Sequence, residues 1–350
     1  MTTWLIFFAG LGALLLGAEW LVRGASRLAL IWRIPPVIVG LTIVAYGTSA
    51  PELAVSLQAA WGGQGEVALG NVIGSNIFNV LFILGLSALI VPLSVDKQLI
   101  RLDVPLMIGV SLILYLMSLD GLLSRLDGIM LLSGAGLYTF FLLREGRSEE
   151  LPVEMEPPRG RHVWIQLALV LLGLVLLALG SRWLVRAAVT LAEAFGVSPL
   201  LIGLTIVAAG TSLPEVVTSV VAAVRRAREL AVGNVVGSNI FNVLFILGTA
   251  AFVAPGGIAI PSSVRDFDLP VMLGVAVACL PVFFTHRRIA RWEGALFLGY
   301  YGLYMAYLFL RTTGHPGLRD LEAALLGFVL PLTAITLLVL FLGARLRARS

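Results

Sequence analysis

The chain has 350 residues, of which 59% are hydrophobic and only 13% charged, against about 25% charged in an average soluble domain. Its 24 Lys and Arg outnumber 20 Asp and Glu, giving a net charge of +4 and a pI near 9.6. This composition argues against a soluble enzyme or a nucleic-acid binder, and the single cysteine, Cys279, argues against a disulfide-stapled fold.

Runs of roughly 20 apolar residues match about 30 Å of hydrocarbon at 1.5 Å per residue, and they predict a polytopic membrane protein. In chain order the spans are expected at 3–22, 37–61, 66–92, 102–120, 126–143, 163–185, 200–224, 230–254, 267–285, 292–311 and 321–343. No Lys or Arg precedes the first run, and Glu19 and Arg23 follow it without a small-residue cleavage pattern. It is therefore read as a span and not as a cleaved signal. Between spans five and six lies the longest polar stretch, Arg144 to Arg161, which carries five glutamates, four arginines and the Pro157-Pro158 pair and reads as a solvated linker. Cys279 falls in an apolar run and is expected to pack rather than react.

The chain also repeats itself. Residues 40–52, GLTIVAYGTSAPE, match 203–215, GLTIVAAGTSLPE, at eleven of thirteen positions, and 70–85 match 233–248 at all but Ile73/Val236. Both pairs are offset by 163, as are the WLVR strings at 20–23 and 183–186. VPLMIGV at 104–110 against LPVMLGV at 269–275, and Arg125-Leu126-Asp127-Gly128 against Arg291-Trp292-Glu293-Gly294, extend the duplication more weakly. The unit is five spans, so the second copy enters the membrane from the opposite side. The expected fold is thus an all-α polytopic membrane protein with 5+5 inverted-repeat transmembrane helices plus an eleventh C-terminal helix. Its expected divisions are a first repeat at 1–143, a cytoplasmic linker at 144–162, a second repeat at 163–311, and an extra helix with a basic tail at 312–350.

Counting Lys and Arg over this arrangement places 18 on the side of the C-terminus and 6 on the other. The positive-inside rule then puts the N-terminus outside and the linker and the Arg345/Arg347/Arg349 tail in the cytoplasm of a cell with the protein in its plasma (inner) membrane. The same tally accounts for the basic pI without nucleic acid.

Glu52 and Glu215 are equivalent under the repeat and lie near the middle of spans two and seven. An ionisable group there costs about 2.5–3.5 kcal/mol on insertion scales, which makes it a functional candidate. Each sits in a Gly-Thr-Ser-x-Pro-Glu string, where Pro51 and Pro214 cannot donate to the carbonyls of Gly47 and Gly210. The helices should break there and loosen carbonyls beside the hydroxyls of Thr48, Ser49, Thr211 and Ser212. Carboxylate, hydroxyl and carbonyl oxygens at bilayer depth suit a hard cation, Ca²⁺ or Na⁺, and offer nothing soft for copper or zinc. The second motif adds oxygens on spans three and eight. Ser75 and Asn79 are spaced i, i+4, as are Ser238 and Asn242. Asn71, Asn76, Asn234 and Asn239 occupy other arcs, suited to bonds across helices, while Gly70/Gly74 and Gly233/Gly237 allow close packing against spans two and seven.

These doubled, inverted motifs resemble the alpha-repeats of the cation/calcium exchanger superfamily, and within it the prokaryotic sodium/calcium exchanger (calcium/sodium antiporter) branch, over about residues 1–311. The resemblance implies that Glu52 and Glu215 bind calcium with the carbonyls of Ala45 and Ala208. It assigns Thr48, Ser49, Ser75, Thr211, Ser212 and Ser238 to flanking sodium sites, and it places Asn79 and Asn242 where relatives carry amide or acidic residues. Asn242 stands where potassium-dependent branches carry Asp, which weakens potassium coupling. Gly-Thr-Ser-x-Pro-Glu replaces the Gly-Asn-x-x-Glu of proton/calcium exchangers, which weakens proton coupling. Both remain as alternative couplings.

The expected function is secondary active exchange of Ca²⁺ for Na⁺ by alternating access. Transported ions replace any cofactor, the bilayer is the main partner, and no oligomer is required. One Ca²⁺ balances two carboxylates, several Na⁺ can fill the same oxygens, and exchange follows if only loaded states change access. Spans one and six, which carry the WLVR strings, are expected to slide against spans two, three, seven and eight, as the resemblance implies. A cation channel would need a selectivity loop or a subunit ring, and nothing here resembles one. An enzyme would need a nucleophile or a His cluster, yet His162, His286 and His315 lie in loops or at span ends. The tryptophans fall mostly near span ends, as interfacial anchors do, and Arg23 has Glu19 within reach four residues earlier.

Overall fold

The computed structural model describes residues 2–145, 163–195, 208–284 and 287–325. They form an all-α protein, with helices α1 (Thr2–Trp32), α2 (Pro36–Thr48), α3 (Ala50–Trp61), α4 (Gly65–Ile90), α5 (Leu99–Asp120) and α6 (Arg125–Glu145). After the linker come α7 (Val163–Ala194), α8 (Ala208–Gly210), α9 (Leu213–Val224), α10 (Arg228–Val253), α11 (Val264–Phe284), α12 (Arg291–Thr312) and α13 (Leu318–Ala324). Seven of these are long and apolar enough to cross a membrane, or eight if the bent pair α2 and α3 counts as one span. The chain is therefore a multi-pass membrane protein. The expected linker lies almost entirely outside the described residues, as do residues 200–207 of span seven and most of the eleventh span.

Helix α10 forms the centre: 94% of its apolar window is buried, and 72% of that of α4, against 28% for α6 and α7. That enclosure lets α4 and α10 carry asparagines and serines at membrane depth without presenting them to lipid. The outer helices expose Leu, Phe and Trp instead, including Leu5, Phe8, Phe140, Trp164 and Leu171. Cys279 is fully buried in α11, in keeping with a packing role.

Glycines set the distances between helices. A Cβ on Gly17 would lie 2.8 Å from the Gly173 carbonyl oxygen, one on Gly173 2.7 Å from the Gly17 oxygen, and Gly10 and Gly180 repeat the relation at 2.9 and 2.8 Å. With Gly24 against the Gln166 carbonyl at 2.8 Å, α1 and α7 meet backbone to backbone along an antiparallel seam with seven-residue spacing. The same device binds each inner helix to a helix from the other half of the sequence: Gly85 of α4 meets Gly294 of α12, and Gly248 of α10 meets Gly128 of α6. Gly233 and Gly237 of α10 abut Val37 and Leu41 of α2. The equivalent partners of Gly70 and Gly74 would be residues 200–204, outside the described set.

Two short ladders, which the hydropathy pattern does not announce, tie loops across the same division. Strand β1 (Leu93–Ser94) pairs antiparallel with β4 (Arg288–Ile289), and β2 (Leu122–Leu123) with β3 (Ile258–Ala259). Helices α3 and α9 end in matching turns, with Gly63 at φ 75° in one and Arg226 at φ 66° in the other. Gln64 N–H donates to the Ala59 carbonyl and Ala227 N–H to that of Ala222, at 2.8 and 2.9 Å, which is the six-to-one closure of a Schellman motif. Glu19 meets Arg23 at 3.4 Å, as its spacing implied, and also Arg225 at 2.8 Å, linking α1 to the end of α9.

Because backbone faces backbone along the seam, no side chain can give way. Gly173→Ala is expected to lower stability by about 1–3 kcal/mol, the usual cost of overpacking. Gly136→Ala, where an added Cβ meets nothing within 4 Å among the described residues, should leave the thermal unfolding midpoint unchanged or raise it. Equal midpoints for the two variants would remove the seam as a constraint.

Candidate functional site

Two interrupted helices bring the polar residues together. Helices α2 and α3 are bent by 48° at Ser49, whose φ and ψ of −81° and 8° match those of Ser212, −91° and 8°, between α8 and α9. These bridge-region values break both helices at equivalent points, two residues before the prolines. Pro51 and Pro214 then fall at the second position of the new helix, where a missing N–H costs nothing. Glu52 and Glu215 follow in the first turn of α3 and α9, where a helix dipole favours negative charge.

Ser49 and Ser212 stand at the N-cap positions yet cap neither helix. Their hydroxyls cross to the other repeat. Ser49 donates to Glu215 Oε1 at 2.8 Å and Ser212 to Glu52 Oε1 at 2.9 Å, while Ser238 and Ser75 stand 3.2 and 3.3 Å from the same two hydroxyls. Both glutamates are buried, at 2% and 1% exposure. Six of the sequence-derived candidates thus form one reciprocal cluster.

Asn79 and Asn242 complete it from α4 and α10. Each opens a π-helical turn, Asn79–Leu84 and Asn242–Leu247, a feature that concentrates at functional sites and that hydropathy cannot reveal. Asn79 Nδ2 donates to Asn239 Oδ1 and Asn242 Nδ2 to Asn76 Oδ1, both at 3.0 Å. What remains is four buried acceptors with no hydrogen-bond donor: Glu52 Oε2, Glu215 Oε2, Asn79 Oδ1 and Asn242 Oδ1. Thr211 Oγ1 is also unpartnered.

Other candidates make further contacts. Thr48 reaches Asn234 Oδ1 at 3.3 Å and the Ala45 carbonyl at 3.5 Å, and that carbonyl already accepts from the Ser49 N–H at 3.1 Å. The Gly210 carbonyl, expected to be freed by Pro214, accepts instead from Ser181 of α7 at 2.6 Å. Ala208 opens the short helix α8.

The four asparagines expected on other arcs bond across helices, to partners that were not assigned from the sequence. Asn71 donates to Ser56 and Asn234 to Ser219, each at 2.9 Å, and the identity of all four under the 163 offset was the available signal. Asn76 and Asn239 bond each other's backbone carbonyls at 3.1 and 3.2 Å and touch the sulfurs of Met272 and Met107 at 3.7 and 3.6 Å. Away from the centre, Tyr138 donates to Asp103 and Tyr304 to Asp268, both at 3.0 Å.

Chemically, the cluster offers oxygen acceptors and little else. Among the described residues no three His, Cys, Asp or Glu converge, so the charge comes from two carboxylates and the rest from neutral oxygens. Buried acceptors without donors are costly. A hard cation satisfies them, and a nucleophile or an anion does not.

Comparison with known proteins agrees with this chemistry. The profile of the family described as "Sodium/calcium exchanger protein" matches residues 2–144 and 165–310. The putative antiporter CaxA of Alkalimonas amylolytica is 40% identical over 304 residues, covering 83% of this chain and 95% of its own. The sodium/calcium exchanger MaX1 of Methanosarcina acetivorans is 29% identical over 344 residues, covering 87% and 98%. A solved structure of the sodium-calcium exchanger NCX_Mj, soaked with 10 mM Na⁺ and zero Ca²⁺, superposes with a TM-score of 0.77 at 30% identity and covers 87% of this chain and 98% of its own. The chain belongs to the sodium/calcium exchanger family, in the prokaryotic branch of the cation/calcium exchanger superfamily.

Proposed function

We propose that the protein exchanges Ca²⁺ for Na⁺ across the cell membrane by alternating access, and that the central cluster is its ion site. The observation that carries this reading is the set of four repeat-related acceptor oxygens, two from carboxylates and two from amides, each buried without a donor. Glu52, Glu215, Asn79 and Asn242 supply these oxygens to calcium. Ser49, Ser75, Ser212, Ser238, Thr48 and Thr211 serve sodium, and the Ala45 and Ala208 carbonyls complete the set. A single divalent ion neutralises both glutamates, and sodium ions compete for the same oxygens, which couples the two fluxes if unloaded states cannot switch.

The architecture proposed with this function is a 5+5 inverted repeat, 1–143 and 163–311, joined by the 144–162 linker and followed by an eleventh helix within 312–350. Its support is the reciprocity of the contacts: the Ser–Glu, Ser–Ser, Asn–Ser and Asn–Asn bonds of the centre recur between equivalent residues with the repeats exchanged. The moving part is α1 with α7. Their glycine seam supports motion as one body, and Ser181 of α7 touches the broken segment at Gly210. Orientation rests on the 18-to-6 division of Lys and Arg.

Two measurements test this. In vesicles with an imposed sodium gradient, calcium uptake should be lost, to below about 1% of wild type, in Glu52→Gln and in Glu215→Gln, since each leaves one carboxylate to balance a divalent ion. Wild-type flux in either variant would remove the site assignment. Uptake driven by a potassium or proton gradient alone would replace the coupling ion. For orientation, a cysteine placed at Ser350 in a Cys279→Ser background should react with a membrane-impermeant maleimide only after permeabilisation, and one at Thr2 in intact cells; the opposite pattern would invert the topology.

A further inference from the structure

Within the ion site just proposed, we infer that Asn76 and Asn239 are positioning residues whose reciprocal bonds decide which end of the Asn79 and Asn242 amides faces the ion. The inference rests on that reading of the site and adds a role that the two asparagines do not have as ligands.

The argument follows donors and acceptors. A side-chain amide is nearly symmetric in shape but opposite in polarity at its two ends, so an unrestrained asparagine can turn either its oxygen or its NH₂ toward a cation. Only the oxygen is a ligand. A backbone carbonyl, by contrast, can only accept, which makes it a reference of fixed polarity. Asn239 Nδ2 donates to the backbone carbonyl of Asn76 at 3.2 Å, and that bond settles the Asn239 amide. Its Oδ1 therefore accepts from Asn79 Nδ2 at 3.0 Å. Asn79 has one polar end left, and it is the acceptor Oδ1, buried and unpartnered.

The second chain of bonds is the mirror of the first. Asn76 Nδ2 donates to the Asn239 backbone carbonyl at 3.1 Å, Asn76 Oδ1 accepts from Asn242 Nδ2 at 3.0 Å, and Asn242 Oδ1 is left over. Each step transmits polarity, so two backbone carbonyls orient two ligand oxygens through one intermediate amide apiece. The Met107 and Met272 sulfurs lie beside the two Nδ2 atoms at 3.6 and 3.7 Å and, as weak acceptors, reinforce the same orientation. Asn76 and Asn239 are 2% and 3% exposed, so water does not compete for these bonds.

A double-substitution cycle separates orientation from mere packing. The readout is equilibrium binding of ⁴⁵Ca²⁺ to the purified full-length protein, with folding followed by thermal unfolding. Asn239→Ala removes the acceptor that holds the Asn79 amide and should weaken calcium binding about ten-fold or more. A carboxylate at position 79 presents oxygen whichever way it turns. In an Asn79→Asp background, Asn239→Ala should therefore cost less than two-fold, or strengthen binding, because it removes an acceptor opposed to an acceptor. The mirror cycle, Asn76→Ala with Asn242→Asp, should behave alike and serves if Asn239→Ala does not fold.

Equal losses in both backgrounds would make Asn239 a packing residue and overturn the inference while leaving the ion site intact. Absence of calcium binding by the unaltered protein would overturn the site itself. Background-dependent loss in either cycle supports orientation.

Discussion

The structure turns on one electrostatic constraint: two carboxylate and two amide oxygens, equivalent in pairs under the repeat, are each buried without a donor inside an apolar membrane protein. Placing such acceptors in lipid is prohibitive, and placing them in a water-filled cleft would let water satisfy them and weaken competition for an ion. Burial within a protein core is the remaining solution. It explains why the most enclosed helices, α10 and α4, are also the most polar at their centres, and why the outer helices carry the apolar surface. It also explains the two helix breaks. An unbroken helix would hold its serines against its own backbone, whereas the break at Ser49 and Ser212 frees both hydroxyls to reach the glutamate of the other repeat.

Bringing four helices close enough for 3 Å contacts requires backbones to approach, and glycine permits it. The Gly85–Gly294 and Gly128–Gly248 contacts interlock the two halves around the site, and the strand pairs fasten their loops. Neither half can withdraw without opening the other. The α1–α7 seam uses the same contact to opposite effect. It joins two outer helices to each other, and they meet the centre at points that include the Ser181 bond to Gly210 and the Glu19–Arg225 pair. One glycine rule therefore serves both the contacts of the centre and the pairing of the outer helices, which the proposed exchange would move against the centre.

Much of this was legible in the residues. The apolar runs placed the helices, and the 163 offset paired Glu52 with Glu215, Ser49 with Ser212 and Asn79 with Asn242 before any coordinate was known. Duplication supplies internally what one sequence otherwise lacks, since a polar residue kept in both copies at span depth is marked twice. Other features left no such mark. A π turn comes from one displaced hydrogen bond and has no composition of its own, so the turns at Asn79 and Asn242 could not be read. The ladders are two residues long, too short for alternation to show. The turn closing α9 hides because Arg226 stands where the first repeat has Gly63. The expectation of a free Gly210 carbonyl failed for a tertiary reason: the hydroxyl that takes it belongs to Ser181, whose counterpart in the first copy is Ala18, so symmetry gave no warning.

That last asymmetry contrasts with the reciprocity of the asparagine bonds at the centre, and the contrast has a physical basis. A carboxylate offers oxygen from any side and tolerates variation around it, whereas an amide is useful to a cation only when its polarity is imposed. In the proposed site, amides at positions 79 and 242 hold the charge at that of two glutamates, which one divalent ion can balance, instead of four acids whose mutual repulsion would need further cations. The consequence is dependence on a network that must be right at every link, since a single reversed amide turns a ligand into a repelling NH₂ group. Such a network requires fixed reference points and exclusion of water. Asn76 and Asn239 have both, because each uses the other's backbone as its reference. The outer contacts, which carry no polarity to the ion, are free to differ between the two copies.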